Sequence, residues 1–280
     1  MIRRGLALFL LWSVGAPALA FAAPERVVSM NLCTDQLALL IAGEGQLISV
    51  SHLAREQRSS VLAEQAARVP VNHGRAEEVF LMRPDLVIAG TFTTRATVEM
   101  LRRLGMRVEE FAPANSFDDI RVNIRRMGAL LGREARAETL VANFNDGLAD
   151  VEAAAGGADP LAALYYTNSY TSGVGTLADE IVTASGLQNL SERYELQGTV
   201  KLPLELLVMG APDLVIGREA FSQAPALARE NYQHPALRAF GAIAEMQSKY
   251  WICGAPFTLQ AATNLLALRE RHLANETLGQ

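Results

Sequence analysis

The amino-acid sequence predicts an α/β protein of two Rossmann-like lobes, each built on a mainly parallel central sheet, joined by one long α-helix. Three observations carry this prediction. Short β-branched runs alternate with segments of helical periodicity, a proline-free stretch interrupts that alternation once, and the second half repeats a pattern of the first. Strands separated by helices are typical of parallel βαβ units. With 280 residues, half of them apolar, two modest lobes can each bury a core.

The first 22 residues predict export. They combine two early arginines, an apolar run and small residues around an expected cleavage site between Ala20 and Ala22. This order is typical of a secretory signal peptide, and the apolar run is too short to span a bilayer comfortably. An uncleaved anchor helix is the alternative. We expect a soluble periplasmic protein without a lipid anchor, because no cysteine lies at the cleavage site.

Residues 23–132 are predicted as the N-terminal lobe. Val27 and Val28 indicate a buried first strand, Pro84-Asp85 stops a short helix, and Ser116 is a good helix-capping residue. In order, the predicted elements are a strand at Arg26–Met30, a helix from Thr34, a strand at Leu47–Val50, a helix at Ala76–Arg83, a strand at Leu86–Ala89, a helix at Thr94–Leu104, a strand at Met106–Phe111 and a helix from Ser116.

Residues 133–157 are predicted as the interlobe helix. This stretch is rich in alanine, glutamate and leucine, lacks proline, and ends in Gly156-Gly157. Residues 158–280 then restart the alternation and are predicted as the C-terminal lobe. Its elements are a strand at Leu161–Tyr166, helices at Thr176–Ser185 and Leu204–Met209, a strand at Leu214–Ile216 and a closing helix at Thr258–Arg271.

The C-terminal lobe repeats a pattern of the N-terminal lobe at an offset of 128 residues. Glu77 precedes Pro84-Asp85 and a buried strand, and Glu205 precedes Pro212-Asp213 and another buried strand at the same spacing. A Pro-Asp stop before a strand can recur by chance in an α/β protein. The aligned glutamate and the flanking helix make a true repeat the better interpretation.

Composition and motifs exclude several functions. The net charge is −5 and no basic block is present, so nucleic-acid binding is not expected. The sequence holds no G-x-S-x-G, H-E-x-x-H, P-loop or G-x-G-x-x-G motif, and its four histidines are scattered. We therefore predict no catalytic residues, no dedicated metal site and no resident cofactor.

Candidate ligand-binding residues follow the predicted strand ends, because ligands of open α/β sheets bind outside the carboxyl ends of the strands. Aromatic side chains there would offer flat amphipathic surface to a large ligand. The candidates are Asn31, Cys33, His73 and Arg95 in the first lobe, and Tyr166, Tyr170, Trp251 and Cys253 in the second. Whether Tyr165 packs in the core or faces the cleft is left open.

Cys33 and Cys253 allow three interpretations: small buried residues, a disulfide across the lobes, or soft contacts to a metal-bearing ligand. We favour ligand contact, because each lies beside other candidate residues. A secreted α/β enzyme with Cys33 as its nucleophile at a helix N-terminus is the alternative function. A structural adaptor is a third.

Several motifs together resemble a known family. They are Arg26-Val27-Val28-Ser29, the stretch Gly74 to Gly90 with its Arg-Pro-Asp-Leu-Val-Ile core, Thr171-Ser172-Gly173 to Gly186-Leu187-Gln188-Asn189-Leu190, and Leu202-Pro203-Leu204-Glu205. With them the chain resembles the periplasmic substrate-binding proteins of iron-siderophore and cobalamin ABC importers. The resemblance covers essentially all of the chain after the signal peptide.

The resemblance implies a monomeric binding protein, not an enzyme. It would capture cobalamin, another corrinoid or a ferric siderophore between its lobes and deliver it to an ABC permease dimer in the inner membrane. In that family each lobe presents a glutamate that docks onto permease arginines, and Glu77 and Glu205 occupy the matching positions. The haem-binding branch is expected to carry a tyrosine before the first glutamate helix, where this sequence has His73.

Overall fold

The computed structural model describes residues 23–157, 159–218, 234–238, 240 and 243–278; the predicted signal peptide lies outside them. The strands are β1 (Val27–Ser29), β2 (Leu47–Ser51), β3 (Val71–Asn72), β4 (Leu86–Gly90), β5 (Val108–Phe111), β6 (Leu161–Leu164), β7 (Tyr170–Ser172), β8 (Gln188–Asn189), β9 (Thr199–Lys201), β10 (Leu214–Arg218) and β11 (Ala244–Met246). The helices are α1 (Leu32–Ile41), α2 (Ala63–Ala66), α3 (Ala76–Leu81), α4 (Arg95–Arg103), α5 (Phe117–Leu131), α6 (Glu134–Ala154), α7 (Leu177–Ala184), α8 (Leu190–Arg193), α9 (Leu204–Gly210), α10 (Pro235–Arg238) and α11 (Thr258–Leu278).

The N-terminal lobe is built on a five-stranded parallel sheet in the order β3-β2-β1-β4-β5. Both central strands, β1 and β4, are buried along their whole length because helices cover the two faces of a parallel sheet. The strand order reverses between β1 and β4. The carboxyl ends of these two strands therefore form the topological switch point, where open α/β sheets bind ligands.

The C-terminal lobe has a four-stranded parallel sheet in the order β11-β10-β6-β8. It also has a feature that the sequence did not predict. Strands β7 and β9 form a separate antiparallel pair, in which Tyr170 lies opposite Lys201 and Ser172 opposite Thr199. The residues predicted as a loop after β6 thus include a strand, and its partner lies far along the chain.

Most of the stretch predicted as the interlobe helix forms α6, which lies between the strands of the two sheets along the chain. It packs closely on α5 at Gly128, where any Cβ would overlap the side chain of Ala137. One continuous core runs from the first sheet through α5 and α6 into the second lobe, with Ile120, Phe144 and Val182 among its buried members. The two lobes therefore share apolar packing in addition to a covalent connection.

The repeated Pro-Asp pair has a structural explanation. The Asp85 carboxylate accepts hydrogen bonds from the backbone N–H groups of Glu25 and Arg26, and the Asp213 carboxylate accepts one from Leu161 at 2.7 Å. Each aspartate thereby fastens the end of its glutamate-bearing helix to the start of a central strand. This supports a true repeat over a chance match.

Several element boundaries differ from the sequence prediction, among them the ends of α11 and β6. Helix α11 continues to Leu278, beyond the predicted end at Arg271, and β6 ends at Leu164, before the predicted end at Tyr166. The chain turns at this point: the Tyr165 backbone N–H still donates to the Ile216 carbonyl of β10, whereas the Tyr166 N–H donates to the carbonyl of Tyr170.

Candidate functional site

A cavity of about 200 Å³ lies at the switch point of the first sheet. Its walls come from the loops after β1, β4 and β5 and from the segment before α11: Asn31, Thr91, Phe92, Pro113, Ile252 and Gly254. Residues of both lobes line it, and we call this space the cleft. Its volume is below the roughly 300–1,000 Å³ of enclosed ligand pockets, so a large ligand would extend along the open strand edge.

Asn31 shapes the turn from β1 into α1. It is the N-cap of α1, and its Oδ1 accepts the backbone N–H of Cys33 at 3.0 Å. A Cβ at Gly90 would press on the Asn31 side chain, so that position in β4 favours glycine. Asn31 therefore borders the cleft as predicted and also fixes the local backbone.

The structure joins Cys33 and Cys253 in a disulfide with Cα atoms 5.1 Å apart. The expectation of two free thiols is therefore wrong, and so is the interpretation of Cys33 as a nucleophile, because a bonded sulfur cannot form a thiolate. Among the three interpretations, the disulfide across the lobes is the one found. It ties the start of α1 to the segment before α11, at the wall of the cleft.

Two histidines that are far apart in the sequence meet at the same strand edge. The rings of His52 and His73 stack with centroids 5.3 Å apart and planes 20° from parallel. They meet because His52 follows β2 and His73 follows β3, and these strands are parallel neighbours. The sequence-based view that the histidines are merely scattered is thus wrong for this pair, and His52 was missed as a candidate.

Glu78 fixes the orientation of His73. The Glu78 carboxylate accepts the backbone N–H of His73 at 2.8 Å and contacts its Nδ1 at 3.3 Å. Because a carboxylate can only accept, Nδ1 carries the proton and Nε2 keeps its lone pair in the neutral ring. Carboxylates orient metal-binding histidines in this way. The His73 side chain is 58% exposed, so a ligand in the open edge can reach it.

A buried polar cluster lies beside the histidine pair. Asp35 in α1 is fully buried, and its carboxylate accepts the Ser51 hydroxyl at 2.5 Å and the Ser51 N–H at 3.2 Å. Burial raises its pKa to about 6, against the lowering effect of hydrogen bonds from Ser29 and Ser51 and of nearby His52. The other carboxylate oxygen, Oδ1, has no hydrogen-bond partner among the described residues.

The tyrosines of the second lobe divide between core and surface. Tyr166 is only 7% exposed and belongs to the continuous core, so its predicted place on the cleft surface is corrected. Tyr165 is fully buried, with its hydroxyl 2.9 Å from the Ser169 Oγ, which settles the question left open above. Tyr170 is 40% exposed in β7 and is accessible to a ligand.

The remaining predicted site residues are Arg95 and Trp251. Arg95 is exposed at the start of α4, just after the loop from β4. Trp251 is half-buried against the core in the segment that also carries Cys253, and its indole Nε1 is a buried donor without a hydrogen-bond partner among the described residues. A donor of this kind can bind a polar ligand atom.

A larger cavity of about 580 Å³ lies elsewhere, between α5, α6 and α7. Its charged lining residues are mostly acidic and include Asp118, Glu152 and Glu180. Glu180 accepts the backbone N–H of Phe117 at 2.5 Å, and burial raises its pKa. Its lining comes from α5, α6, α7 and the segments that follow α6 and α7, and not from the switch point of the first sheet, so we assign the ligand site to the smaller cleft.

The two repeated glutamates are exposed, as a docking role requires. Glu77 lies in the first turn of α3, and Glu205 lies in the first turn of α9. We call α3 and α9 the docking helices. The two neighbouring glutamates of α3 have different surroundings. Glu77 is exposed to solvent, whereas the Glu78 carboxylate accepts a hydrogen bond from the backbone N–H of His73.

Residues 27–252 match the periplasmic binding protein family. The chain belongs to this family. A curated relative, an uncharacterized ABC transporter substrate-binding lipoprotein of Bacillus subtilis, is 22% identical over 203 residues. That match covers 69% of this chain and spans 63% of the length of the relative.

Solved structures of similar fold include a periplasmic haem-binding protein of Pseudomonas aeruginosa, with 21% identity and a TM-score of 0.70 over 88% of this chain and 92% of that one. The periplasmic vitamin B12 binding protein of Vibrio cholerae has 18% identity and a TM-score of 0.67, over 90% and 98%. A protein of an Fe3+-hydroxamate transport system from Saccharomonospora viridis has 19% identity and a TM-score of 0.66, over 87% and 92%. At these identities the likeness establishes the fold. None of the helices formed by the described residues is long and apolar enough to cross a membrane.

Proposed function

We propose that this protein is exported to the periplasm, captures a metal-bearing chelate in the cleft, and delivers it to an ABC permease dimer without catalysing a reaction. The observation that carries the proposal is the cleft itself, which lies at the switch point of a parallel sheet and is lined by both lobes. Family membership supports it, as do solved relatives named for haem, vitamin B12 and ferric hydroxamate.

The strand edge has the length and chemistry for such a cargo. Five parallel strands spaced about 4.8 Å apart give an edge of roughly 19 Å. At one end His73 offers Nε2, oriented by Glu78 and stacked on His52. Three strands away, in the loop after β4, Phe92 is 87% exposed and offers an apolar face. A flat chelate with a metal centre suits both positions.

We propose that His73 Nε2 contacts the metal centre or a metal-bound group of the cargo. Asn31, Arg95, Tyr170 and Trp251 would then contact its periphery. Titration of the protein purified from the periplasm tests this, with cobinamide, cobalamin, haemin and a ferric hydroxamate as probes and with absorption and tryptophan fluorescence as readouts. We expect one class of chelate to bind, and His73→Ala to weaken its affinity about tenfold or more.

The matched control is His234→Ala, since His234 is exposed, precedes α10 in the second half of the chain and does not line the cleft. It should leave the titration unchanged. If none of the four chelates binds to the wild-type protein, the proposed cargo class is wrong. If a chelate binds and both histidine variants behave like wild type, the cleft assignment survives and the role of His73 does not.

Delivery is tested separately through the docking helices. The double variant Glu77→Ala/Glu205→Ala should abolish uptake of the cargo while leaving its affinity for the protein unchanged, because both residues are exposed and neither lines the cleft. The alternative role of these residues, favourable charge in the first helical turn, predicts only a small loss of stability. Normal uptake by the double variant would show that the glutamates do not dock.

A further inference from the structure

Each docking helix carries an exposed apolar pair that the lobes do not need for their own packing. Phe80 and Leu81 of α3 are 42% and 77% exposed, and Val208 and Met209 of α9 are 41% and 75% exposed. The two pairs stand 128 residues apart, at the same offset as the glutamates, and their exposures match position by position. Large apolar side chains exposed twice in the same arrangement indicate an interaction surface.

The glutamate and the more exposed apolar residue share one face of each helix. Leu81 lies four residues after Glu77, and Met209 lies four residues after Glu205, which places each pair on the same side of a helical turn. Each lobe therefore presents a carboxylate beside an apolar side chain.

The buried side of each helix is already satisfied. Val79 of α3 and Leu207 of α9 are fully buried, each in a core cluster of its own lobe. The apolar pairs belong to neither cluster. Their exposure therefore has no role in the cores and leaves them available to a partner.

The backbone at the helix ends repeats as well. Arg83 after α3 and Ala211 after α9 both have positive φ, 50° and 43°, although neither is glycine. This conformation costs an ordinary residue roughly 1–2 kcal/mol. Strain of this kind persists where the surrounding structure holds it, often at functional sites. The positive-φ residues and the hydrogen bonds of Asp85 and Asp213 give the two helices the same ends, so both apolar pairs are held in the same orientation relative to their lobes.

We propose that the docking surface is bipartite in each lobe, a carboxylate plus an apolar contact, and that it fits a two-fold symmetric permease dimer. Each permease subunit would offer a cationic side chain beside an apolar depression. This inference rests on the proposed delivery function and adds the apolar half. Two matching patches on one chain suit a partner with two matching sites.

The charge of the patches argues against other occupants. A second copy of this chain would place carboxylate against carboxylate, and an anionic lipid surface would repel both glutamates, since such surfaces attract basic segments. A cationic, apolar protein surface is complementary to both halves of each patch.

The test is the affinity of cargo-loaded protein for the permease of its importer, reconstituted in lipid nanodiscs. The double variant Leu81→Ser/Met209→Ser should bind about tenfold or more weakly, as loss of central apolar contacts does. The matched control is Val122→Ser, because Val122 is 59% exposed on α5 and outside the docking helices. Cargo affinity, measured in parallel, should be unchanged in both variants.

Salt separates the two halves of the surface. At about 1 M salt the Debye length is about 3 Å, so the loss caused by Glu77→Ala/Glu205→Ala should shrink while the loss caused by the serine variant persists. Each single serine variant should produce a similar partial loss. Wild-type affinity of the double serine variant would overturn the inference while the glutamate variant still tests delivery. Failure of the wild-type protein to bind the permease would overturn the proposed delivery function itself.

Discussion

The two lobes are alike at their docking helices and unlike at the strand edges that border the cleft. Glutamate, exposed apolar pair, strained helix end and anchoring aspartate all recur at one offset. At the strand edges, by contrast, the first lobe has stacked histidines above a buried carboxylate, and the second has an antiparallel pair bearing Tyr170. A symmetric partner preserves a repeat in the surface it contacts, whereas a single asymmetric cargo does not require one.

The largest expected effect comes from breaking the covalent tie between these lobes. The disulfide closes a loop with a sequence separation of 220 residues, and chain entropy assigns such a long loop about 5 kcal/mol of stability. The double variant Cys33→Ser/Cys253→Ser should lower the free energy of unfolding by that order, measured by urea denaturation.

Reduced wild-type protein is the control for this prediction, because it keeps both sulfurs and lacks only their bond. It should unfold at the midpoint of the double variant. If the oxidised wild-type protein is no more stable than the reduced protein or the double variant, the disulfide does not stabilise the fold. The disulfide lies at the wall of the cleft, in the region where the two lobes differ from each other.

The next largest effect concerns Asp35, the buried carboxylate of the first lobe, and its contribution to stability. The pKa of Asp35 is raised from 3.8 to about 6 in the folded protein, so the folded state retains this proton to higher pH than the unfolded state does. The contribution of Asp35 to the free energy of unfolding therefore falls as pH rises from about 4 to 6 and stays low above pH 6. Asp35→Asn should be more stable than wild type at pH 7.5, by up to about 3 kcal/mol at 1.36 kcal/mol per pKa unit.

This advantage should become small near pH 3, below both pKa values, where the wild-type carboxyl is mostly protonated in the folded and the unfolded state. Urea unfolding at pH 3, 4, 5, 6 and 7.5 measures it. The control Glu64→Gln changes an exposed carboxylate of the same lobe and should give a difference from wild type that does not vary with pH in this way. Parallel stability curves for wild type and Asp35→Asn would contradict the burial argument.

Much of the fold could be predicted because it is encoded locally. The β-branched run at Val27–Ser29, the Ser116 cap and the proline-free stretch that becomes α6 each specify their own element. The antiparallel pair could not be predicted in this way, because Tyr170–Ser172 becomes a strand only through pairing with Thr199–Lys201. That pairing depends on tertiary structure.

The site was less predictable, because it depends on which strands become neighbours. Asn31 and His73 could be found from their positions after strands, whereas the partnership of His52 with His73 required the pairing of β2 with β3. The tyrosines misled for a different reason. A residue directly after a parallel strand can still be covered by the helices on either face, as Tyr166 is.

The smallest expected effect comes from the helix caps, which test whether the two lobes unfold in a single cooperative transition. Ser116 caps α5 by accepting the N–H of Asp119, and Thr176 caps α7 by accepting that of Asp179. Ser116→Ala and Thr176→Ala should each cost about 1 kcal/mol. Thr139→Ala, within α6, is the control and should not destabilise the protein, because the Thr139 hydroxyl donates to a carbonyl of its own helix.

Since one core spans both lobes, both cap variants should lower the midpoint of a single thermal transition. Two transitions, each moved by only one variant, would show instead that the lobes are as independent in stability as they are different in their strand edges.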